Sequence, residues 1–564
     1  MGFPTWPSPR GRRWWKLRPD LSSLQATFLV AVFFVLGCNV AFWTATVHEV
    51  GGLLARPSLF VALLTILLCA FTTMAALLKV RGLFKPAVAV LFAVSVIVDH
   101  FALFDGIRLD AALVQSVVEA ESREVRDLIT PTLLLHVALL GVIPLGLLLG
   151  SKIRFGTFLA ELKTTIVLVL ATVAVLAAVG FGFNKELAGF GREHREVLAL
   201  VTPFNYVRAV RKYLSRSSPR DDLLVSVGAD ARSARHGLPG HPRRVVVLVV
   251  GETARAANFS LNGYDRPTDP ELADRSVVSF TNVHSCGTST ASALPCMFSD
   301  RGRARFDAES ERHRENLLDV LRHAGVDVLW RDNNTGCKHV CDRVRTENLN
   351  EAGDPELCDG ETCFDEILLD GLVEIVDRAD KDMLIVLHQQ GSHGPAYFLR
   401  YPPAFRKFSP ECANKDLTRC SRESIVNAYD NSILYTDHVL ARLVEILGRS
   451  GSAGESALVY VSDHGESLGE QRLYLHGMPF AFAPDAQIHV PMIVWFSPAL
   501  IASDGIDLER LSAARDAPVS HDNLFHTVLG LFEVHTRAYV GDLDVFAPFR
   551  TDPRRRAAER EGRP

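Results

Sequence analysis

Three short runs place acids, imidazoles and hydroxyls directly after apolar, β-branched stretches. Gly251-Glu252-Thr253 follows RVVVLVV (244–250), Asp463-His464-Gly465-Glu466 follows ALVYVS (457–462), and Gln389-Gln390-Gly391-Ser392-His393-Gly394 follows MLIVLH (383–388). Ligands of open α/β sheets gather beyond the carboxyl ends of the strands, so three strands of one sheet would deliver these groups to one rim. Glu252, Asp463 and His464 make a mixed oxygen and nitrogen set suited to a divalent cation, and the imidazole favours zinc over magnesium. A single strand-end Asp is commonly a helix cap. Several such residues at one edge argue against that reading.

A metal of this kind becomes catalytic if a hydroxyl can bind it and lose its proton. The segment Cys286-Gly287-Thr288-Ser289-Thr290-Ala291, with Cys296 downstream, offers hydroxyls on a short turn. If Thr290 opens the following helix, its oxygen faces the metal while the N–H groups of the helix N-terminus meet a phosphoryl group. The competing reading of Thr290 is an ordinary N-cap.

Such groups need a rigid frame, and the sequence from 243 to 550 supplies one. Short β-branched runs at 244–250, 326–330, 383–388, 457–462 and 490–496 alternate with helical stretches near 313–324, 364–378, 422–449 and 520–533. Continuous apolar strands between amphipathic helices argue for an α/β sheet covered on both faces. No internal repeat is visible. Residues 551–564, with Arg554, Arg555 and Arg556, read as a disordered tail.

The chain before this part is of another kind. Of the 564 residues 48% are apolar and 22% charged, and the mean hydropathy of +0.14 averages a greasy N-terminal part with an ordinary soluble one. Residues 1–183 hold five stretches long enough to cross a bilayer, near 24–47, 58–78, 86–104, 130–150 and 164–183. The first is longer than a secretory h-region and lacks a small-residue cleavage site, so it reads as a retained span. Lys and Arg cluster before the first span (Arg10, Arg12, Arg13, Lys16, Arg18), after the second (Lys79, Arg81, Lys85) and after the fourth (Lys152, Arg154, Lys163). These three segments share one side, which the positive-inside rule makes cytoplasmic. Five crossings then put everything after about 184 on the other side, the periplasm of a bacterial envelope. Asp99 and His100, near the outer end of the third span, are either a functional pair or interface residues in water. Residues 184–242 bridge the two parts: 184–213 is an amphipathic surface segment or a packed bridging helix, and 214–242 a Ser-, Arg-, Gly- and Pro-rich linker.

Cysteine usage agrees with that topology. Cys38 and Cys69 lie in spans, and the other eight cluster as Cys286/Cys296, Cys337/Cys341, Cys358/Cys363 and Cys412/Cys420. Four local disulfides are expected in an oxidising compartment. A four-thiolate zinc site built from Cys337, Cys341, Cys358 and Cys363 is the alternative.

GETAR (251–255), CGTSTA (286–291) with PCMFS (295–299), HQQGSHGPAY (388–397), SDHGESLGE (462–470) and LHG (475–477) together resemble the signature of the phosphoethanolamine transferases that modify lipid A, which include the mobile colistin-resistance proteins. The resemblance covers nearly the whole chain. It implies a five-helix transmembrane bundle joined to an alkaline-phosphatase-like (sulfatase-like) α/β periplasmic domain in the inner membrane. It implies zinc held by Glu252, Thr290, Asp463 and His464, with Thr290, not Thr288, the nucleophile. His393 and His476 are implied to bind the phosphoryl group or a second zinc or to move protons, and Lys338 to lie near the phosphate. LVQSVVEAESREVRDL (113–128) resembles the segment that offers the head group an Asn and a Glu; Glu124 fits, but Ser116 stands where the Asn would be. The expected partners are phosphatidylethanolamine as donor, lipid A or another envelope glycan as acceptor, and the bilayer, with the protein a monomer. The expected outcome is a less negative envelope and polymyxin resistance.

Sixty Lys and Arg against 65 Asp and Glu, net −5, exclude a basic nucleic-acid binder. A sulfatase would carry Cys or Ser followed by Pro-x-Arg, and CGTSTA lacks it. A phosphatase of this fold would transfer to water, and a phosphoglycerol transferase differs only in its donor. A noncatalytic sensor with the same fold would have lost a metal ligand, and none is missing.

Overall fold

The computed structural model describes residues 19–551 apart from 110, 120–121, 184–185, 188–189, 192–193, 217–223, 236–241, 351, 360–361 and 450–453. The tail expected at 551–564 lies outside these but for Thr551, as does part of the expected linker at 214–242. Two compact units emerge, one from the described residues up to Phe104 together with Pro131–Val207, the other from Asp105–Thr130 together with the described residues from Arg208 on.

The first unit is helical. Its elements are α1 (Ser23–Gly37), α2 (Val40–Val50), α3 (Pro57–Leu77), α4 (Phe84–Phe104), α5 (Pro131–Gly150) and α6 (Phe158–Gly182). The last four are each long and apolar enough to cross a membrane, and α1 with α2 passes the same test as a pair bent by 52°. The sequence reads 24–47 as one unbroken span; the structure breaks it at Asn39. There the side-chain amide donates to the carbonyls of Phe34 (2.8 Å) and Thr202 (2.9 Å) and accepts the Thr202 N–H (2.9 Å), so a polar group interrupts the helical ladder. Asp99 Oδ1 accepts the N–H of Ala41 in the first turn of α2 (3.0 Å). Asp99 and His100 are buried among helices rather than standing in water. Beyond Thr165 helix α6 is apolar on all sides but for Thr172, its only buried residue, the pattern of a helix whose solvent is itself apolar.

The second unit is built on one eight-stranded sheet: β1 (Arg244–Gly251), β2 (Val278–His284), β3 (Asp327–Asp332), β4 (Arg345–Asn348), β5 (Met383–His388), β6 (Glu455–Ser462), β7 (His489–Phe496) and β8 (Val519–Ser520). Their spatial order is β8-β2-β7-β6-β1-β5-β3-β4. Strand β7 runs antiparallel to both β2 and β6, and the other pairs are parallel. Every residue of β1, β5 and β6 is buried, which is why these strands read as unbroken apolar runs. Alternate residues feed two cores: Val246, Leu248 and Val250 pack on one face with Phe525 and Val528, and Val245, Val247 and Val249 on the other with Ile433 and Leu440 of the long helix Arg422–Arg449. Strands β2, β4 and β8 lie outside the β-branched runs legible in the sequence.

Four disulfides staple this unit: Cys286–Cys296, Cys337–Cys341, Cys358–Cys363 and Cys412–Cys420. The four-thiolate metal site is therefore set aside, and Cys38 and Cys69 are buried free thiols.

Candidate metal centre and nucleophile

Strands β1 and β6 are parallel neighbours whose last residues, Gly251 and Ser462, pair in register. The residues that follow must emerge side by side at the carboxyl edge. Thr253 takes a left-handed φ of 58°, which folds the chain back over the edge. Its N–H donates to Asp463 Oδ1 (3.1 Å) and its hydroxyl to Glu252 Oε1. Glu252, Asp463 and His464 are all fully buried, and one ligand atom from each lies within 4.8 Å of the others.

The hydrogen bonds around this triad fix its lone pairs inward. His464 Nδ1 is 3.0 Å from the carbonyl of Gly465, an acceptor, so Nδ1 carries a hydrogen and Nε2 is the atom turned to the carboxylates. Nε2 stands 3.3 Å from both Glu252 Oε1 and Asp463 Oδ2. Asp463 Oδ2 is buried without a hydrogen-bond partner among the described residues. Two carboxylates and an imidazole lone pair converging in a dry pocket repel one another unless a cation joins them. Where no ion is bound a proton takes that place: burial alone would lower the His464 imidazole, but Asp463 and Glu252 outweigh it and raise it to about 10, and a metal ion would displace that proton from Nε2. Burial, then Glu252, pushes Asp463 up to about 6. The donor set thus fits a divalent ion with nitrogen and oxygen preference.

Thr290 is the first residue of α7 (Thr290–Met297), and Ser289 precedes it without a side-chain cap. Its Oγ1 lies 3.0 Å from Glu252 Oε2 and 3.5 Å from His464 Nε2, completing a fourth donor. Thr290 and Ala291 supply the first N–H groups of α7, and a helix N-terminus favours an anion. Thr288 turns away, its hydroxyl donating to the carbonyl of Met478 (2.6 Å).

His476 reaches the rim of the triad, its ring 4.4 Å from that of His464 and its Nδ1 3.3 Å from Glu466 Oε2. The His393 ring lies 5.2 Å from that of His476. Lys338 lies on the Cys337–Cys341 loop, its ammonium donating to the carbonyl (2.9 Å) and hydroxyl (3.1 Å) of Thr335. With Gln115 and Pro295 of α7 it lines a cavity of about 20 Å³. Ser116 is half-buried in the helix Ala111–Glu119, beside Gln115. The side chain of Glu124 lies outside the described residues.

The structure adds one participant that the motifs do not name. Asn334 Nδ2 donates to Glu252 Oε2 (2.9 Å) and to the carbonyl of Gln389 (2.7 Å), fixing the carboxylate that touches Thr290. The rule that finds Glu252 could have found it, because Asn333-Asn334 directly follow β3. The apolar run that marks this strand ends at 330, two residues before the strand does.

Comparison with known proteins bears on the whole chain. The family described as "Sulfatase" matches residues 244–534, and that described as "Phosphoethanolamine transferase EptA/EptB" matches 67–218. Phosphoethanolamine transferase EptA of Salmonella typhimurium is 35% identical over 543 residues, covering 94% of this chain and 98% of that protein. Phosphatidylethanolamine transferase Mcr-1 of Escherichia coli is 35% identical over 531 residues, covering 92% and 96%. The structure of the integral membrane lipooligosaccharide phosphoethanolamine transferase A of Neisseria meningitidis superposes with a TM-score of 0.90 at 34% identity, covering 95% of this chain and 100% of that one. The similarity spans the apolar helices and the sheet with its carboxyl edge, and the chain belongs to the phosphoethanolamine transferases.

Proposed function

We propose that the protein is a zinc-dependent transferase that moves phosphoethanolamine from phosphatidylethanolamine to lipid A, or to a related lipopolysaccharide phosphate or sugar, through a phosphothreonine at Thr290. The observation that carries this reading is the Thr290 hydroxyl 3.0 Å from Glu252 Oε2 and 3.5 Å from His464 Nε2, at a helix N-terminus. Glu252, Asp463, His464 and Thr290 Oγ1 would hold the ion. Zinc bound there would lower the pKa of the hydroxyl and offset charge on the phosphoryl group.

The Thr290 oxygen attacks the phosphorus of the donor, the bond from phosphorus to the glycerol oxygen breaks, and diacylglycerol leaves with a proton. His476, braced by Glu466, and His393 beside it supply and recover that proton or bind the phosphoryl oxygens; a second zinc between them is the other role open to this pair. The N-terminal N–H groups of α7 take up phosphoryl charge. An acceptor oxygen then attacks the phosphothreonine and releases Thr290. Asn334 keeps Glu252 aimed throughout. Lys338, Ser116 and Glu124 are the residues we assign to the donor head group.

The anchor serves this chemistry by holding the site at the surface that contains both lipids. We read α1 with α2 as one broken span, giving five crossings, a cytoplasmic N-terminus, and a catalytic domain (243–550) in the periplasm of the inner membrane beyond the bridge at 184–242. The enzyme acts as a monomer. The deciding experiment incubates the purified enzyme with donor alone: mass spectrometry finds a phosphoethanolamine adduct on the peptide containing Thr290, and adding lipid A removes it. Turnover with no adduct at Thr290 refutes the covalent route. Reporters fused at Arg216 and Arg81 fall on opposite membrane faces, and finding them on one face refutes five crossings.

A further inference from the structure

The nucleophile and the metal ligands grow from strands that are not neighbours. Thr290 lies beyond the end of β2 and Asp463 beyond the end of β6, and β7 runs between those two strands. Two strand spacings put the strand ends about 10 Å apart, and β7, antiparallel to both, brings its first residues to this edge. Sheet pairing therefore fixes Asp463 beside Glu252 and leaves the Thr290 turn to be held by other means.

His521 supplies a link. It directly follows β8, which pairs in parallel with β2 through Ser520 and His284, so it emerges at the carboxyl edge beside Cys286. Its ring is buried, 1% exposed. Nδ1 lies 3.3 Å from the Cys286 nitrogen, and Nε2 2.9 Å from the Ser462 carbonyl oxygen. An N–H only donates and a carbonyl only accepts, so Nδ1 accepts, Nε2 carries the hydrogen, and the ring is neutral. Burial, above all, lowers the imidazole to about 3 against the pull of the Ser462 carbonyl, which keeps it neutral.

Each end of this bridge touches the frame of the site. Cys286 opens the CGTSTA turn and is bonded to Cys296 inside α7, so the position of Cys286 bears directly on where α7 begins. Ser462 ends β6, and its hydroxyl accepts the Ala254 N–H (2.8 Å) and donates to the His464 carbonyl (3.0 Å). The next residue, Asp522, accepts the Arg303 N–H (2.7 Å) with Oδ1, in the chain just past α7. Two consecutive residues thus hold the chain ahead of the nucleophile helix and the chain behind it.

We propose that His521 is a positioning residue for the transfer: as a neutral bridge from Cys286 to Ser462 it sets the reach from Thr290 Oγ1 to an ion held by Glu252, Asp463 and His464. The inference rests on Thr290 as the nucleophile. His521 acts through the backbone of the turn and not on the substrate.

The test follows the rate at which the phosphoethanolamine adduct forms on Thr290 in the full-length, zinc-loaded enzyme in detergent. Zinc content, kcat and the KM for donor are measured on the same preparations. His521→Phe keeps a flat ring and removes both hydrogen bonds. It holds as much zinc as wild type and leaves KM in place, while adduct formation slows about a hundredfold, the cost of misplacing a reacting group by about 1 Å. His521→Gln, whose amide again offers one acceptor and one donor, recovers to within about tenfold of wild type. Wild-type rates in a folded His521→Phe overturn the proposal, as do lost zinc, a raised KM at unchanged kcat, or equal rates in His521→Phe and His521→Gln. Should His521→Phe fail to fold, His521→Asn decides, because its shorter amide reaches Cys286 but not Ser462: a slowed adduct supports the bridge, and a wild-type rate overturns it. Wild type that turns over without any adduct refutes the Thr290 nucleophile, and this inference with it.

Discussion

Strands β1 and β6 begin on charged residues and are followed by charged residues, and the two ends of this central pair are built on opposite principles. At the amino end Arg244 is fully buried and donates to Glu455 (2.7 Å) and Asp504 (2.5 Å), while Arg235 reaches Glu455 (2.8 Å) and Asp382 (3.1 Å). The chain supplies its own cations, and every carboxylate there faces a guanidinium. At the carboxyl end, among the described residues, the only ion-pair partner of Glu252 and Asp463 is His464, an imidazole that can trade its Nε2 proton for a metal ion. The chain supplies acids and leaves the cation out. Buried charge matched within the protein fixes architecture; buried charge left unmatched is a request for a ligand. Burial is equal at both ends, so burial does not separate structure from function here, and completeness of the charge set does.

The largest expected effect tests the unmatched end. Thr290→Ala leaves Glu252, Asp463 and His464 in place, so the protein folds and keeps most of its zinc, yet transfer falls to background, far beyond the roughly tenfold to thousandfold of losing one stabilising hydrogen bond. Activity and zinc content measured on the same preparation check it, and turnover above a few per cent of wild type would falsify Thr290 as nucleophile.

Arg244→Ala strikes the matched end. It strands Glu455 and Asp504 without their guanidinium and costs about 3–5 kcal/mol, equally with and without zinc. Denaturant unfolding under both conditions reads this out, and a cost that depends on zinc breaks the comparison.

Asp463→Asn sharpens the contrast because its sign changes with metal. In the metal-free enzyme it relieves repulsion between two buried carboxylates and raises the unfolding midpoint; in the zinc-loaded enzyme it removes a ligand and lowers it. The same sign under both conditions would mean that the site does not demand a cation. Thr288→Ala deletes one hydrogen bond to the Met478 carbonyl and costs about 1 kcal/mol, with only a mild loss of transfer.

The smallest effect calibrates an ordinary pair. Hydrogen bonding to Glu366, against partial burial and with help from Glu271, raises His438 to about 9. Its folded pKa lies above the unfolded value of about 6.5, so its contribution is complete below that pH and fades as pH rises through about 9. His438→Gln should flatten that part of the stability profile, and an unchanged slope refutes the assignment.

Much of this was legible in the sequence, because the signals are local. Apolar spans, β-branched strands and amphipathic helices follow from neighbours along the chain, and β1, β5 and β6 lie almost where their runs do. Strand β2 escaped because VSFTNVH mixes polar with apolar residues, and β8 because a two-residue strand has no pattern. The rule that strand ends carry ligands placed Glu252, Asp463 and His464 on one rim. The same rule stopped short at Asn334.

The sequence by itself determined that the chain has apolar spans, a water-soluble α/β part and a rim of acids and imidazoles, since composition and periodicity survive without knowing which distant residues meet. Only the tertiary structure decided the rest. Thr290 and not Thr288 faces Glu252 because α7 starts at that residue and the Thr288 hydroxyl is taken by Met478. The first span breaks because Asn39 finds Thr202, 163 positions away. His521 meets Cys286 because β8 and β2 pair in one register. The physical reason is the same each time: a lone pair acts only along its own direction and over about 3 Å, and that direction is set by strand register and backbone angles between segments far apart in the chain.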